Sequence, residues 1–166
     1  MLYLDASAVV KRYVDEGDDG TATIEALVAG AREWGGLVSS EWLVLEVTSA
    51  LARKVRGAKI TEDEFHETLE RFRADLDAFS LLAVEEGQPV RAANLLATAR
   101  GLDRFHAGDA IHLHTALQLS EALNGDRIVL ITTDEGFKVV ARHHGMPVLD
   151  PRTERLDDLA RLFEVN

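Results

Sequence analysis

Residues 128–134 read Ile-Val-Leu-Ile-Thr-Thr-Asp. Four consecutive apolar residues with no polar residue between them predict a strand buried on both faces, as in a parallel sheet covered by helices. The run then meets an acid, Asp134, directly before a helical pattern that Gly145 and Pro147 bring to an end. The N-terminus repeats this arrangement, with Leu2-Tyr3-Leu4 leading into Asp5 and then into a helical stretch. Two strands of one parallel sheet that each end in an acid bring both acids to the carboxyl edge, where such sheets hold their ligands.

Working outward, strands are predicted at Leu2–Leu4, Leu37–Ser39, Leu81–Val84, Ile128–Thr132 and Val148–Leu149. Helical patterns fill the intervals at 7–14, 21–32, 40–56, 61–79, 88–100, 108–123 and 134–144, and Thr61-Glu62-Asp63-Glu64 opens the fourth with a capping-box pattern. This alternation predicts an α/β fold: a short, mainly parallel sheet of about five strands with helices on both sides. With 166 residues, 46% of them hydrophobic, the chain suits one domain over 1–166 with a sizeable core.

Composition narrows the chemistry. Without cysteine there is no disulfide framework, thiolate zinc site or iron–sulfur cluster, and a cytoplasmic location is the default expectation. No apolar run is long enough to span a membrane, and Asp5 interrupts the only apolar stretch that could begin a signal peptide. Gly-x-Gly-x-x-Gly, Walker-type and Gly-x-Ser-x-Gly motifs are all missing. A net charge of −11 repels nucleic acid on average, so any nucleic-acid role needs a local basic patch or bound cations. With aromatics at only 6%, Trp34 and Trp42 read as core or interface residues rather than a stacking platform.

Most of the 29 acids decorate solvated helix faces, and Asp157 and Asp158 read as a polar C-terminal turn. Four stand apart. Glu46 shares a helical stripe with Leu43, Val47 and Ala50, while Asp109 heads a stripe with His112, Leu113, Ala116 and Leu117. Asp5 and Asp134 follow strands. Each also has an ordinary reading: helix caps for Asp5, Asp109 and Asp134, and a ragged stripe border for Glu46. Gathered together, four carboxylates would raise one another's pKa unless a cation intervened, and a hard divalent ion suits such an all-oxygen set. His112 and His114 point to opposite sides of a helix, which argues against zinc. His112 reads either as a satisfied core histidine or as a supporting group at the acidic edge.

The stretches YLDASAVVKRY (3–13), LEVTSALAR (45–53), GDAIHLHTA (108–116) and ITTDEGF (131–137) together resemble PIN-domain ribonucleases, most closely the VapC-like toxins of type II toxin–antitoxin modules. The resemblance implies a PIN-like three-layer sandwich. It implies catalytic, metal-holding carboxylates at Asp5, Glu46, Asp109 and Asp134, with Ser7, Thr133 and His112 in support. It further implies one or two Mg²⁺ or Mn²⁺ ions, cleavage of RNA phosphodiesters by metal-activated water, a cognate antitoxin whose C-terminal segment covers the site, and a homodimer. The helix over 61–79 is a candidate for the dimer contact, and Val9, Val10, Tyr13, Val14, Leu27 and Val28 for an antitoxin groove, although ordinary core packing explains most of these six equally well. The cations Arg53, Lys54, Arg56 and Lys59 are the expected contacts to RNA phosphates. Two other classes remain open: a catalytically silent PIN-like binding module, and an aspartyl-phosphate enzyme or receiver, the latter weakened because Ser7 stands where its second Asp belongs.

Overall fold

The structure, a computed structural model, describes residues 1–99, 104–123 and 127–164. Five short strands, β1 (Leu2–Leu4), β2 (Leu37–Ser40), β3 (Phe79–Leu82), β4 (Val129–Ile131) and β5 (Val148–Leu149), form one sheet in the order β3-β2-β1-β4-β5. Every pairing is parallel, with Leu2, Tyr3 and Leu4 in register with Val129, Leu130 and Ile131. The helices are α1 (Ala6–Val10), α2 (Gly20–Ala29), α3 (Trp42–Arg56), α4 (Glu62–Asp75), α5 (Gln88–Thr98), α6 (Ala107–Ala122), α7 (Glu135–His143) and α8 (Leu156–Glu164).

Strand side chains alternate between faces, so the sheet feeds two cores. Leu2, Leu4, Val129 and Ile131 pack with apolar residues of α1 to α4 and α8. Tyr3, Val38, Leu130 and Val148 pack on the other side with α5, α6 and α7. The expected α/β sandwich is therefore present, its sheet parallel throughout. From β1 the chain steps outward to β2 and β3, then crosses back to β4 on the far side of β1. That reversal leaves a crevice beyond the carboxyl ends of β1 and β4, between Asp5 and Asp134.

Local signals behave as read at Thr61, whose side chain accepts from the Glu64 N–H at 3.2 Å while Glu64 accepts from the Thr61 N–H at 2.7 Å. The third strand starts two residues earlier than expected, and the predicted end of the fifth helix at Arg100 lies outside the described residues. The C-terminal turn is a correction. Asp157 and Asp158 open α8, whose Leu156, Leu159, Leu162 and Phe163 recur at helical spacing. Leu159 is fully buried, and Phe163 stacks on Trp34 at 5.4 Å.

Of the two readings of the candidate groove residues, ordinary core packing accounts for most of them. Val9, Val10, Tyr13 and Leu27 belong to the buried core, and Val14 and Val28 pack against it. Val14 and Val28 remain half-buried, and Val10 also lines the crevice between Asp5 and Asp134. Among the described residues no helix is long and apolar enough to cross a membrane.

Candidate active site

Asp5 follows the last residue of β1 and caps α1, accepting the Ala8 N–H at 3.0 Å. Asp134 does the same for α7, accepting the Phe137 N–H at 2.8 Å. Capping does not take either acid away from the crevice, because a cap at the carboxyl edge of a parallel sheet borders it. Asp109 is not a cap. It is the third residue of α6 and reaches back to the His106 N–H at 2.7 Å. Glu46 comes from the middle of α3, on the border between its buried stripe and solvent.

All four acids line one cleft of about 900 Å³, together with Ser7 and Thr133. Arg53, Lys54 and Lys59 lie on its wall as well; Arg56 is exposed and does not line it. Lys54 is paired with Glu16, and Arg53 donates to Ser49 at 2.9 Å.

Asp5 is the buried anchor, only 4% exposed. Ser7 donates to its carboxylate at 2.9 Å, and the Thr132 hydroxyl donates at 2.9 Å. Ser7 in turn accepts the Thr133 N–H at 2.9 Å, tying the end of β4 to the start of α1. Thr133 therefore contributes its backbone, and the hydroxyl touching the acid belongs to its neighbour Thr132. Burial pushes Asp5 up to about 6 despite these donors and the nearby His112. Asp109 is pushed up to about 7, first by burial and then by the charges of Asp134, Asp5 and Glu46, with the His106 N–H opposing. The cleft therefore holds more negative charge than it can solvate.

Glu46 is steered from behind. His112, fully buried on α6, places Nε2 2.8 Å from Glu46 Oε2 and Nδ1 2.9 Å from the Tyr3 hydroxyl. A Tyr3 hydroxyl donating to Nδ1 leaves the Nε2–H to donate to Glu46, so β1 and α6 together orient a carboxylate on α3. His112 is at once a satisfied core histidine and a partner of the site. Gly108 makes room: a Cβ there would lie 1.7 Å from Glu46 Oε1. Gly136 has the same role behind α7, where a Cβ would meet the Arg104 carbonyl oxygen at 2.3 Å.

Tyr3, Thr132 and Gly108 escaped the sequence reading. Tyr3 carried a signal, since a hydroxyl on a strand buried on both faces must find a partner. Thr132 carried a weaker one, a hydroxyl between a buried strand and an acid. Gly108 carried none beyond standing next to Asp109.

The donor set suits a hard divalent ion, with one qualification of shape. Among the described residues no three Asp, Glu or His side chains are grouped closely enough to form a metal cage. The four acids share a cleft without closing into a cage, because each is anchored to a different group: Asp5 to α1 and Thr132, Glu46 to His112, Asp109 to His106, Asp134 to Phe137. Among the described residues, Glu46 Oε1, Asp109 Oδ1 and Asp134 Oδ2 make no hydrogen bond. Free carboxylate oxygens in an over-charged cleft fit an ion that takes one or two protein ligands and keeps several waters, as Mg²⁺ does.

An all-parallel sheet with an acidic cleft at its switch point defines the chain as an α/β protein with its candidate site at the carboxyl edge of the sheet. It belongs to the PIN domain family, which matches residues 2–143. PIN domains are generally metal-dependent nucleases acting on nucleic acids. No curated protein sequence matches the chain.

Proposed function

We propose that this protein is a Mg²⁺- or Mn²⁺-dependent endoribonuclease, and that it acts as the VapC-like toxin of a toxin–antitoxin pair. The observation that carries the reading is the meeting of Asp5, Glu46, Asp109 and Asp134, from four separate parts of the chain, on one cleft that also bears Arg53, Lys54 and Lys59. A bound divalent ion would neutralise the carboxylates, polarise the scissile phosphate and supply an activated water.

The chain's own groups do the rest. Asp109, Glu46 and Asp134 offer their free oxygens as ligands, and Asp5 holds the centre of the site through Ser7 and Thr132. Without a cation, Asp109 keeps its proton well above the ordinary carboxyl range, and the ion would displace that proton. Lys54, Lys59 and Arg53 on the wall take the flanking phosphates and offset the net repulsion between an acidic chain and RNA. Hydrolysis in this frame leaves 5′-phosphate and 3′-hydroxyl ends.

The same charge suits inhibition by an antitoxin segment carrying Arg or Lys, whose fork matches paired carboxylates. Leu45 on the cleft rim, 57% exposed, gives that segment an apolar foothold. A homodimer belongs to this reading too. The test is Mn²⁺-dependent cleavage of RNA by the wild type against Asp5→Asn and Asp109→Asn. Cleavage that needs the metal and both acids supports the reading; no difference between the three makes the protein a silent binding module.

A further inference from the structure

The loop between α1 and α2 carries a fifth acid into the cleft. Glu16 lines it beside Lys54, yet it belongs to none of the strand-end or helix positions that hold the other four. Its two oxygens go to two different cations: Oε2 lies 2.5 Å from Lys11 Nζ, and Oε1 pairs with Lys54 Nζ. Lys11 is almost completely buried, 3% exposed, and such an ammonium must be paired. It has a second partner, however, in Asp18. Removing Glu16 would therefore leave Lys11 still paired with Asp18, leave Lys54 without its ion-pair partner, and vacate the position between the two cations for another anion.

Two ammonium groups held so that each takes one oxygen of a single monoanion match a phosphodiester, which offers two non-bridging oxygens and one negative charge. We propose that Lys11 and Lys54 form a backbone-phosphate subsite of the cleft, closed by Glu16 in the free protein and opened when a nucleic-acid phosphate displaces that carboxylate. The loop that carries Glu16 is exposed from Asp15 to Asp19. It lies outside every helix and strand, and Gly17 at φ +76° with its N–H on Asp15 at 2.8 Å makes its turn. This inference rests on the nucleic-acid reading of the cleft and deepens it: substrate entry requires an exchange of anions as well as a fit.

The test uses a fluorescein-labelled single-stranded RNA in EDTA, so that binding is read without cleavage. Anisotropy is followed across salt concentrations for wild type, Glu16→Gln, Lys54→Gln and the double variant, with Glu70→Gln as a control for loss of one surface charge. Glu16→Gln should bind roughly tenfold tighter, since the competing occupant is gone. Its dependence on log salt should steepen by about 0.7 to 1.4, one or two added phosphate contacts on a single strand. Lys54→Gln in that background should cancel the gain. A Glu16→Gln protein that behaves like Glu70→Gln overturns the subsite. If the wild type still cleaves RNA with Mn²⁺ in that case, the nuclease reading stands alone. A second probe, inorganic pyrophosphate in thermal melts, keeps the two apart if no variant binds RNA. A melting-point rise in Glu16→Gln that is absent in wild type and in the double variant supports the subsite; equal behaviour of all three overturns it.

Discussion

Replacing Asp109 by Asn should make the protein more stable above neutral pH while removing its activity. The folded chain holds the Asp109 proton up to about pH 7, against an ordinary carboxyl value of 3.8. The folded form binds that proton more tightly than the unfolded form, so stability falls as pH rises from about 4 to 7 and stays low above it. At about 1.36 kcal/mol per pH unit, the gap corresponds to at most about 4 kcal/mol. Asp109 is only half-buried, and screening by water reduces that to about 1–2 kcal/mol. Asn keeps an oxygen for the His106 N–H and loses only the charge. For a chain of this size each kcal/mol moves the melting temperature by about 2–4 °C, so Asp109→Asn should melt roughly 3–6 °C above wild type at pH 8. The difference should close towards pH 4.5, where wild-type Asp109 is itself neutral. Mn²⁺ at pH 8 should stabilise the wild type more than the variant. Melts at the two pH values with and without Mn²⁺ decide the matter. An offset that does not change with pH, or a variant that melts lower at pH 8, would refute the argument that crowded charge strains this cleft.

Three other outcomes follow from the geometry. Gly108→Ala puts a methyl in the space of the Glu46 carboxylate, the end of a flexible, part-exposed side chain that can swing aside. The helix-propensity gain of about 1 kcal/mol and the lost His112 contact should leave stability within about 1 kcal/mol of wild type while cleavage is abolished; urea unfolding and a cleavage assay read both. Tyr3→Phe leaves the buried Nδ1 of His112 without its partner and should cost about 1–3 kcal/mol in the same unfolding assay. Asp150, buried between Lys138 and Arg152, is held well below the ordinary carboxyl range because their hydrogen bonds outweigh its burial. Its contribution is present above about pH 4 and lost as pH falls further, so Asp150→Asn should cost about 3–5 kcal/mol at pH 7 and progressively less in acid melts.

The order of elements and the edge on which the site lies were legible along the chain. Apolar runs of three or four residues ending in Asp5 and Asp134 are enough to place two acids on one sheet edge, since a parallel sheet has a single carboxyl edge. The helical stripe through Glu46 was legible for the same reason, a fixed period of 3.6 residues. α8 was missed although its apolar spacing was present, because the acids Asp157 and Asp158 that begin it also read as a turn.

What tertiary structure alone decided is who touches whom between elements far apart in sequence. Tyr3, His112 and Glu46 lie on a strand and two helices, and no local period relates them. Thr132 rather than Thr133 places its hydroxyl on Asp5, a choice between two neighbours past the end of β4 that no local pattern makes. Val9 and Leu27, free on paper to form a groove, are consumed by the core once α1 and α2 lie on the sheet. The pairing of Lys11 and Lys54 through Glu16 depends on a loop folding back over α3. Periodicity assigns a residue to a face, but only the packing of one face on another determines which charge meets which.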